Sequence, residues 1–249
     1  MQKITSPENI QIKKICALQS KKGRDTQQRF IAQGQRVITT FLAQNYHLEQ
    51  ICVTNEMLEQ AHQIAPGAST ILVNTHLMNK ISTVSTPSGI VAVFQIPETK
   101  KIPLAPGLVL ANITDPGNMG TLIRTAAAMG FNTVIIIEGC DPWSPKVVQA
   151  SAGTLAYVSL VSCTWPALVA QKGALSLCAL AVEQGMPPEQ LTLKNTLLVV
   201  GNEAHGLPQE WIDQCEQCMT IPMPGNTESL NAAVAGSIAL YAMAIAKNT

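Results

Sequence analysis

A polar loop, Thr114–Gly120, follows a run of apolar residues and leads into a predicted helix. Its residues, TDPGNMG, match neither the dinucleotide-binding glycine pattern nor a phosphate-binding P-loop. The loop does place Asn118 at a helix N-terminus, where backbone N–H groups favour an anion. Arg124, about one turn inside the predicted helix, is the only arginine after Arg36. A guanidinium binds phosphate or carboxylate through two hydrogen bonds, and an arginine that only reaches solvent is the alternative.

A second polar loop, GNEAHGL at residues 201–207, follows the apolar run TLLVV. Gly201 allows the backbone to approach a ligand closely, and Asn202 stands beside it. Glu203 is a candidate acid, base or ion-pair partner. We interpret His205 as a surface or RNA-facing residue rather than a catalyst.

A third loop, IPMPGNTESLN at residues 221–231, precedes an alanine-rich helix predicted over Glu228–Ala246. Two prolines and a glycine stiffen this loop. Ser229 and Asn231 are hydrogen-bonding side chains at the start of an otherwise apolar helix. Helix capping is the ordinary role of serine and asparagine there, so capping and catalysis both stay open on these residues alone.

Apolar strands alternate with helices around these three loops. Strands are predicted at Leu108–Ile113, Thr133–Ile137, Ala156–Val161, Ser176–Val182, Thr196–Val200 and Met219–Ile221. Helices are predicted over Thr121–Met129, from Ser144-Pro145 onward, and at the C-terminal end of the sequence. The alternation predicts an α/β fold with a mostly parallel sheet covered by helices on both faces. Ligands gather at the carboxyl edge of such sheets, where these loops leave their strands.

The first hundred or so residues form a second predicted domain. One helix is predicted over residues 6–22, and strands are predicted at Arg29–Ala32, Gln50–Thr54, Thr70–Val73 and Ile90–Ile96. Further helices are predicted near Gln35–Gln44, Glu56–Ile64 and Thr75–Ile81. The proline-rich, aperiodic segment PETKKIPLAPG predicts a linker. The predicted division is therefore 1–96, a linker at 97–107, and 108–249.

Charge is distributed unevenly along the chain, although the formal net charge is zero. Residues 1–36 contain eight lysines and arginines against Glu8 and Asp25. Attraction for phosphate depends on such a local patch, and a solvated helix face is the alternative. Hydrophobic residues make up 47% and charged residues 13% of the chain, which excludes a disordered protein.

The cysteines and the apolar runs of the sequence indicate the cellular compartment of the protein. The seven cysteines lack regular spacing, and Cys215 and Cys218 form a lone CxxC, so buried reduced thiols are favoured over zinc or redox chemistry. The N-terminus lacks a signal-peptide core, and the longest apolar run, Ala232–Ala246, is shorter than a membrane span of about 20 residues. We expect a soluble, cytoplasmic protein without a metal.

The chain resembles the SpoU (TrmH-type) family of SPOUT RNA 2′-O-ribose methyltransferases. The segments NMGTLIRTAAAMG, LVVGNEAHGL and IPMPGNTESLNAAVAGSIALY match the three family motifs in order and separation. KKGR, the strand ending in QG, and TPSGIVAV resemble the smaller N-terminal α/β (ribosomal-protein L30e-like) domain of many members, which binds the RNA substrate. Gln33 stands where those members have an acidic residue, and Ala204-His205 stands where Gly-Glu is frequent.

The resemblance implies a methyltransferase that uses S-adenosyl-L-methionine to methylate a ribose 2′-hydroxyl of RNA. It also implies a trefoil-knotted sheet and a homodimer with the site near the dimer interface. The implied catalytic residues are Asn118, Arg124, Glu203, Ser229 and Asn231. The implied cofactor-binding residues are Gly201, Asn202, Ile221, Met223 and Leu230. Because a guanidinium stays protonated, we expect Arg124 to position the hydroxyl or its neighbouring phosphate, with Glu203, Ser229 or a water as proton acceptor.

Two other classes of protein remain as alternatives. A catalytically silent RNA-binding protein on the same scaffold would not need the intact set of polar residues. A nicotinamide- or ATP-dependent enzyme would need a phosphate-loop fingerprint, which the sequence lacks. Ribosomal RNA is favoured over transfer RNA, because a basic N-terminal domain is more typical of the members that act on ribosomal RNA.

Overall fold

The computed structural model describes residues 1–98, 103–225 and 228–248. Contacts group these residues into two compact units. The first unit combines Met1–Glu98 with Asp141–Ala156, and the second contains the rest of the described chain. We predicted a single division at the linker 97–107. The contacts differ from it in one segment, because residues 141–156 pack with the first unit. Residues 99–102 of the predicted linker lie outside the described residues.

Strands and helices are numbered here in chain order. The strands are β1 (Gln2–Ile4), β2 (Arg29–Gln33), β3 (Leu48–Val53), β4 (Thr70–Val73), β5 (Ile90–Gln95), β6 (Gly107–Ala111), β7 (Thr133–Ile137), β8 (Ser159–Ser162), β9 (Ser176–Leu180), β10 (Thr196–Val200) and β11 (Gln217–Met219). The helices are α1 (Ile10–Ala17), α2 (Lys21–Gln27), α3 (Gln35–Ala43), α4 (Leu58–Ile64), α5 (Thr75–Ile81), α6 (Pro116–Ala128), α7 (Pro145–Ala150), α8 (Trp165–Gln171), α9 (Gln209–Ile212) and α10 (Ala232–Asn248).

The first unit is built on a five-stranded sheet in the order β1-β4-β3-β5-β2. β5 runs antiparallel to its two neighbours, and the other pairs are parallel. The four strands predicted in this region are confirmed, with small shifts at their ends. β1 was missed, because three residues are too few to show an alternating pattern.

The single helix predicted over residues 6–22 is wrong, because the chain turns between α1 and α2. Ser20 begins the second helix, and its hydroxyl accepts a hydrogen bond from the N–H of Gly23 at 3.1 Å. A β-carbon on Gly23 would lie 1.9 Å from the carbonyl oxygen of Ala17, so this corner requires glycine.

The segment containing α7 completes the core of the first unit. Its helix begins as predicted, with Ser144 as the N-cap and Pro145 in the first turn. The Trp143 ring lies 4.8 Å from the ring of Phe30, centroid to centroid. Just before it, Asp141 Oδ2 accepts from Nε and Nη2 of the buried Arg24 at 2.7 and 2.6 Å. Arg24 is therefore not part of the basic surface that its position in the sequence indicated.

The second unit contains a parallel six-stranded sheet in the order β11-β9-β10-β6-β7-β8. β6, β7 and β10 are buried along their whole length, which is why they read as unbroken apolar runs. The predicted α/β class with a mostly parallel sheet is confirmed. The strand order reverses beside β6, so the loops after β6 and β10 leave neighbouring strands at the carboxyl edge.

Several element boundaries differ from the prediction, among them that of β11, which covers Gln217–Met219 rather than Met219–Ile221. α6 begins at Pro116 rather than Thr121, because the Asp115 side chain caps it. α10 begins at Ala232 rather than Glu228. The strand predicted at Ala156–Val161 begins only at Ser159, since a short 3₁₀ turn comes first. Among the helices of the described ranges, none is long and apolar enough to cross a membrane.

Candidate active site

The N-terminus of α6 positions Asn118. The Asp115 carboxylate accepts a hydrogen bond from the Asn118 N–H at 2.7 Å, and Pro116 occupies the first turn. The sequence PGNM is therefore helical and not part of a loop. As a result, Arg124 is the ninth residue of α6, more than two turns inside it rather than one.

Glu203 ties the loop after β10 to the start of α6. Its Oε1 accepts from the Asp115 N–H at 3.0 Å and from Asn118 Nδ2 at 3.2 Å. Its Oε2 accepts from the N–H of Thr114 at 3.2 Å and from the Thr114 hydroxyl at 3.0 Å. Both carboxylate oxygens are thus engaged, and the two loops are held together.

These hydrogen bonds determine the ionisation of Glu203. Partial burial is the largest single influence and raises the pKa of the carboxyl group. The N–H groups of Asp115, Glu203 and Thr114 and the Asn118 amide together outweigh it and lower the pKa to about 2. A carboxylate with this pKa and these donors, to which Asn202 Nδ2 adds one at 3.4 Å, is a poor proton acceptor at neutral pH. The geometry therefore favours Glu203 as a positioning residue.

Asn231 extends the same network from the start of α10. Its Oδ1 caps the helix by accepting from the N–H groups of Ala233 and Val234 at 2.9 and 3.2 Å. Its Nδ2 donates to Asn118 Oδ1 at 3.0 Å. The two interpretations that the sequence left open are therefore compatible: Asn231 is a helix cap that also reaches Asn118.

The loop after β10 closes on itself around Asn202. The N–H of Asn202 donates to the carbonyl of Gly206 at 3.1 Å, and the reverse bond is 2.9 Å. Asn202 Nδ2 donates to the carbonyl of Asn112 at 2.9 Å. A β-carbon on Gly201 would lie 2.5 Å from the Gly206 carbonyl carbon, so the turn requires glycine at this position.

A cavity of about 400 Å³ lies where the loops after β9, β10 and β11 meet the start of α10. All five predicted cofactor residues line it, together with two of the predicted catalytic residues: Gly201, Asn202, Ile221, Met223, Leu230, Glu203 and Ser229. Asn118 and Asn231 lie outside the lining; Asn118 is hydrogen-bonded to Glu203, and Asn231 is hydrogen-bonded to Asn118. The exposed His205 also lines the cavity, and its N–H donates to Asn202 Oδ1 at 3.1 Å.

The lining fits a cofactor with a planar heterocycle and polar groups. Leu180, Val200 and Leu207 supply apolar surface, and the Gly201–Gly206 turn supplies backbone groups. Sequence reasoning missed the contribution of Leu180–Val182, since these residues continue an apolar strand and carry no polar signal. Only the sheet order, which places β9 between β10 and β11, identifies that contribution.

Arg124 stands apart from the network. Its side chain is exposed on α6, and it makes no hydrogen bond or ion pair with any residue that the structure describes. Ser229 is likewise exposed at the cavity, without a hydrogen bond in the described ranges. Both side chains are therefore exposed and take no part in the network.

The thiol of Cys215 is partly buried between α9 and the sheet. Burial, assisted by the neighbouring charge of Glu216, raises the pKa of the Cys215 thiol to about 12, which disfavours a thiolate. Its Sγ donates to the Trp211 carbonyl at 3.2 Å. Within the described part of the chain, no group of three or more histidine, cysteine and acidic residues could hold a metal ion.

Comparison with known families matches residues 106–241 to the SpoU rRNA Methylase family. The chain belongs to the SpoU rRNA methylase family. Residues 9–92 match the MRM3-like substrate binding domain. The family resemblance of the three motifs is therefore confirmed, and the SpoU match contains the whole Asn118–Glu203–Asn231 network.

Relatives of this SpoU chain span its whole length. It is 27% identical over 245 residues to the 23S rRNA (guanosine(2553)-2′-O)-methyltransferase RlmP of Bacillus subtilis, covering 97% of this chain and 98% of the relative. It is 30% identical to an uncharacterized tRNA/rRNA methyltransferase of Synechocystis, covering 96% and 92%. An AdoMet-bound rRNA methyltransferase from Sinorhizobium meliloti superimposes with a TM-score of 0.87 at 27% identity, covering 97% of each chain.

Proposed function

We propose that this chain transfers a methyl group from S-adenosyl-L-methionine to a ribose 2′-hydroxyl of ribosomal RNA. The observation that carries the proposal is the hydrogen-bonded network of Glu203, Asn118 and Asn231, which joins the three family motifs beside one cavity. Its support is the match to the SpoU family and the full-length similarity to a 23S rRNA 2′-O-methyltransferase.

The cavity beside the network is the proposed binding site of the cofactor. Gly201, Asn202, Ile221, Met223 and Leu230 would hold S-adenosyl-L-methionine, which supplies an electrophilic methyl group on a sulfonium. The protein must then hold the ribose oxygen in line with that methyl group. The hydrogen bonds of Glu203 to Thr114, Asp115 and Asn118 would keep this wall of the cavity in place for the alignment.

The side chains that take no part in the hydrogen-bonded network are proposed to position the substrate. We assign Arg124 to hold the target hydroxyl or its adjacent phosphate, because a guanidinium remains protonated and offers a planar fork of donors. The proton of the hydroxyl then passes to water, directly or with the Ser229 hydroxyl as a relay that gives its own proton to water, since Glu203 already accepts from several donors.

Ribosomal RNA is the favoured substrate, and the first unit is proposed as the domain that binds it. The match of residues 9–92 to a substrate-binding domain supports this assignment, as do the ribosomal-RNA names of several relatives. A cytoplasmic location is part of the proposal, since the two full-length relatives come from bacteria, which make their ribosomal RNA in the cytoplasm. Transfer RNA is the second candidate, because one full-length relative is named a tRNA/rRNA methyltransferase.

A homodimer is part of the proposal. α10 packs one face, including the buried Ala233, Gly236 and Leu240, inside its own unit. The opposite face exposes Val234, Ile238 and Tyr241, which follow one another at helical spacing with 42–57% of their surface accessible. An apolar stripe of this kind fits a second copy of the same helix.

Replacement of Arg124 by alanine tests the catalytic assignment. We expect methyl transfer to a 23S rRNA fragment to be lost, while binding of S-adenosyl-L-methionine by calorimetry and the melting temperature stay as in the wild type. Near-wild-type transfer in Arg124→Ala would remove this residue from the mechanism. Absence of cofactor binding by the wild-type chain would instead favour a catalytically silent RNA-binding protein.

Mapping of 2′-O-methylated nucleotides in total RNA, with and without the gene, tests the substrate class. Loss of one ribosomal site in the deletion strain supports the proposal. Loss of a transfer-RNA site would transfer the assignment to the second candidate.

A further inference from the structure

A second cavity, of about 630 Å³, lies within the first unit between α1, the end of α2 and the strands β2, β3 and β5. Its apolar lining includes Ile15, Leu18 and Val93, each no more than 1% exposed. This cavity shares no lining residue with the cofactor cavity, and no step of the proposed reaction uses it. Its volume lies within the range of about 300–1,000 Å³ that small-molecule sites occupy.

Positive charge predominates in the lining. Lys13, Lys14 and Arg29 line the cavity against a single acidic residue, Glu49. Arg29 Nε pairs with Glu49 Oε2 at 2.5 Å, and Arg29 Nη1 donates to the Gln27 carbonyl at 2.8 Å. Both contacts lie at the edge of the guanidinium, so its planar face is the part suited to stacking. Lys13 is paired with Glu8, whereas Lys14 has no ion pair in the part of the chain that the structure describes.

An unsatisfied acceptor lies in the same lining. Gln11 Oε1 is buried and accepts no hydrogen bond from any described residue. Buried acceptors of this kind are uncommon in folded proteins and call for an explanation. Once the Gln11 amide turns toward the cavity, a ligand with an N–H donor, such as the edge of a nucleobase, would satisfy this oxygen.

We propose that this cavity binds one unpaired nucleotide of the RNA substrate. The base donates to Gln11 Oε1 and stacks on the guanidinium of Arg29, and the adjoining phosphate is bound by Lys14. A base within a duplex has its edges paired and its faces stacked, so only a nucleotide from a loop, bulge or single strand can enter. This inference rests on the proposed function, because it assumes that RNA is the substrate.

Binding of a short RNA to the full-length chain tests the proposal. The probe is a 12-nucleotide single-stranded RNA of mixed sequence, and a 12-base-pair duplex serves for comparison. We expect Gln11→Leu to weaken single-strand binding about fivefold, the loss of roughly one hydrogen bond. We expect Lys14→Ala to reduce the slope of log K against log salt by about 0.7, the value for one phosphate of a single strand.

Lys194→Ala is the matched control, because Lys194 is exposed in the second unit and makes no side-chain hydrogen bond or ion pair with a described residue. It should leave both affinity and slope unchanged. A probe that carries 4-thiouridine should cross-link to peptides containing residues 11–14 or 26–29.

Wild-type affinity and salt slope in both variants, or cross-links confined to other peptides, would overturn the inference. That result leaves methyl transfer by the wild-type chain, and hence the proposed function, untouched. Conversely, a chain that binds the single strand through Gln11 and Lys14 but transfers no methyl group would retain this site and lose the proposed activity.

Discussion

The hydrogen bonds of Glu203, rather than its residue type alone, indicate its role. From the sequence it is a candidate acid or base in a loop after a strand. In the structure its two oxygens accept from four donors on the neighbouring loop, and its pKa is about 2. A carboxylate placed in this way organises the site and does not exchange protons near neutral pH.

The Glu203→Gln variant should be less stable than the wild type in a pH-dependent manner. The folded pKa lies below the ordinary 4.5, so the ionised group stabilises the fold above about pH 4.5 and this contribution is lost as the pH falls toward 2. At pH 7 the variant should lose about 1–3 kcal/mol, because an amide cannot accept from every donor. Melting curves from pH 3 to 8 should show the two proteins converging at low pH.

The exposed Glu210 in α9 provides a control for that experiment. Glu210→Gln should melt within a degree or so of the wild type at each pH, since surface substitutions change stability little. A constant difference between the wild type and Glu203→Gln across the whole pH range would contradict the ionised role of Glu203.

Among the elements, the Gly201–Gly206 turn depends strictly on one residue. Gly201→Ala would place a β-carbon against the Gly206 backbone at 2.5 Å, and the turn would have to open. We expect the affinity for S-adenosyl-L-methionine to fall at least tenfold in calorimetry. Gly225→Ala should keep the wild-type melting temperature, because no residue that the structure describes lies within 4 Å of its added carbon. Unchanged cofactor affinity in Gly201→Ala would separate this turn from the cofactor.

The exposed stripe of α10 predicts the assembly state. Ile238→Asp should convert a species of twice the 26.6 kDa chain mass into a single chain in sedimentation experiments. Ile10→Asp makes the same chemical change at an exposed position in the first unit and should leave the mass unchanged. A wild-type protein that sediments as one chain would refute the dimer.

In the whole molecule, the Arg24–Asp141 ion pair fastens the α7 segment within the first unit. Arg24→Ala should destabilise that unit by about 3–5 kcal/mol, because it leaves a largely buried carboxylate without its partner. Trp143 is the only tryptophan of the first unit. Its fluorescence therefore reports the unfolding of that unit once Trp165 and Trp211 are replaced by phenylalanine.

The double variant Arg24→Met, Asp141→Leu is the control for Arg24→Ala. It should lose less stability than Arg24→Ala, since removing both charges also removes the desolvation cost. Equal losses in the two proteins would show that packing, rather than the unpaired charge, dominates.

Local signals predicted much of this fold. The buried strands of both sheets were evident from their apolar runs, and Ser144-Pro145 marked the start of α7. The sequence could not show that α7 packs with the first unit, because the decisive partners Arg24 and Asp141 lie 117 positions apart. It also could not separate the roles of Asn118, Glu203 and Asn231, since their hydrogen bonds depend on the order of the strands.

The position of residues 141–156 has a consequence for synthesis on the ribosome. Domains commonly fold in order as they emerge, the N-terminal one first. Here the aromatic core around Phe30 lacks Trp143 until a much later stretch of chain has been made. At about 5–20 residues per second, the 58 residues from 98 to 156 delay completion of the first unit by roughly 3–12 s. The first unit therefore stays incomplete while strands of the second sheet are already being synthesised.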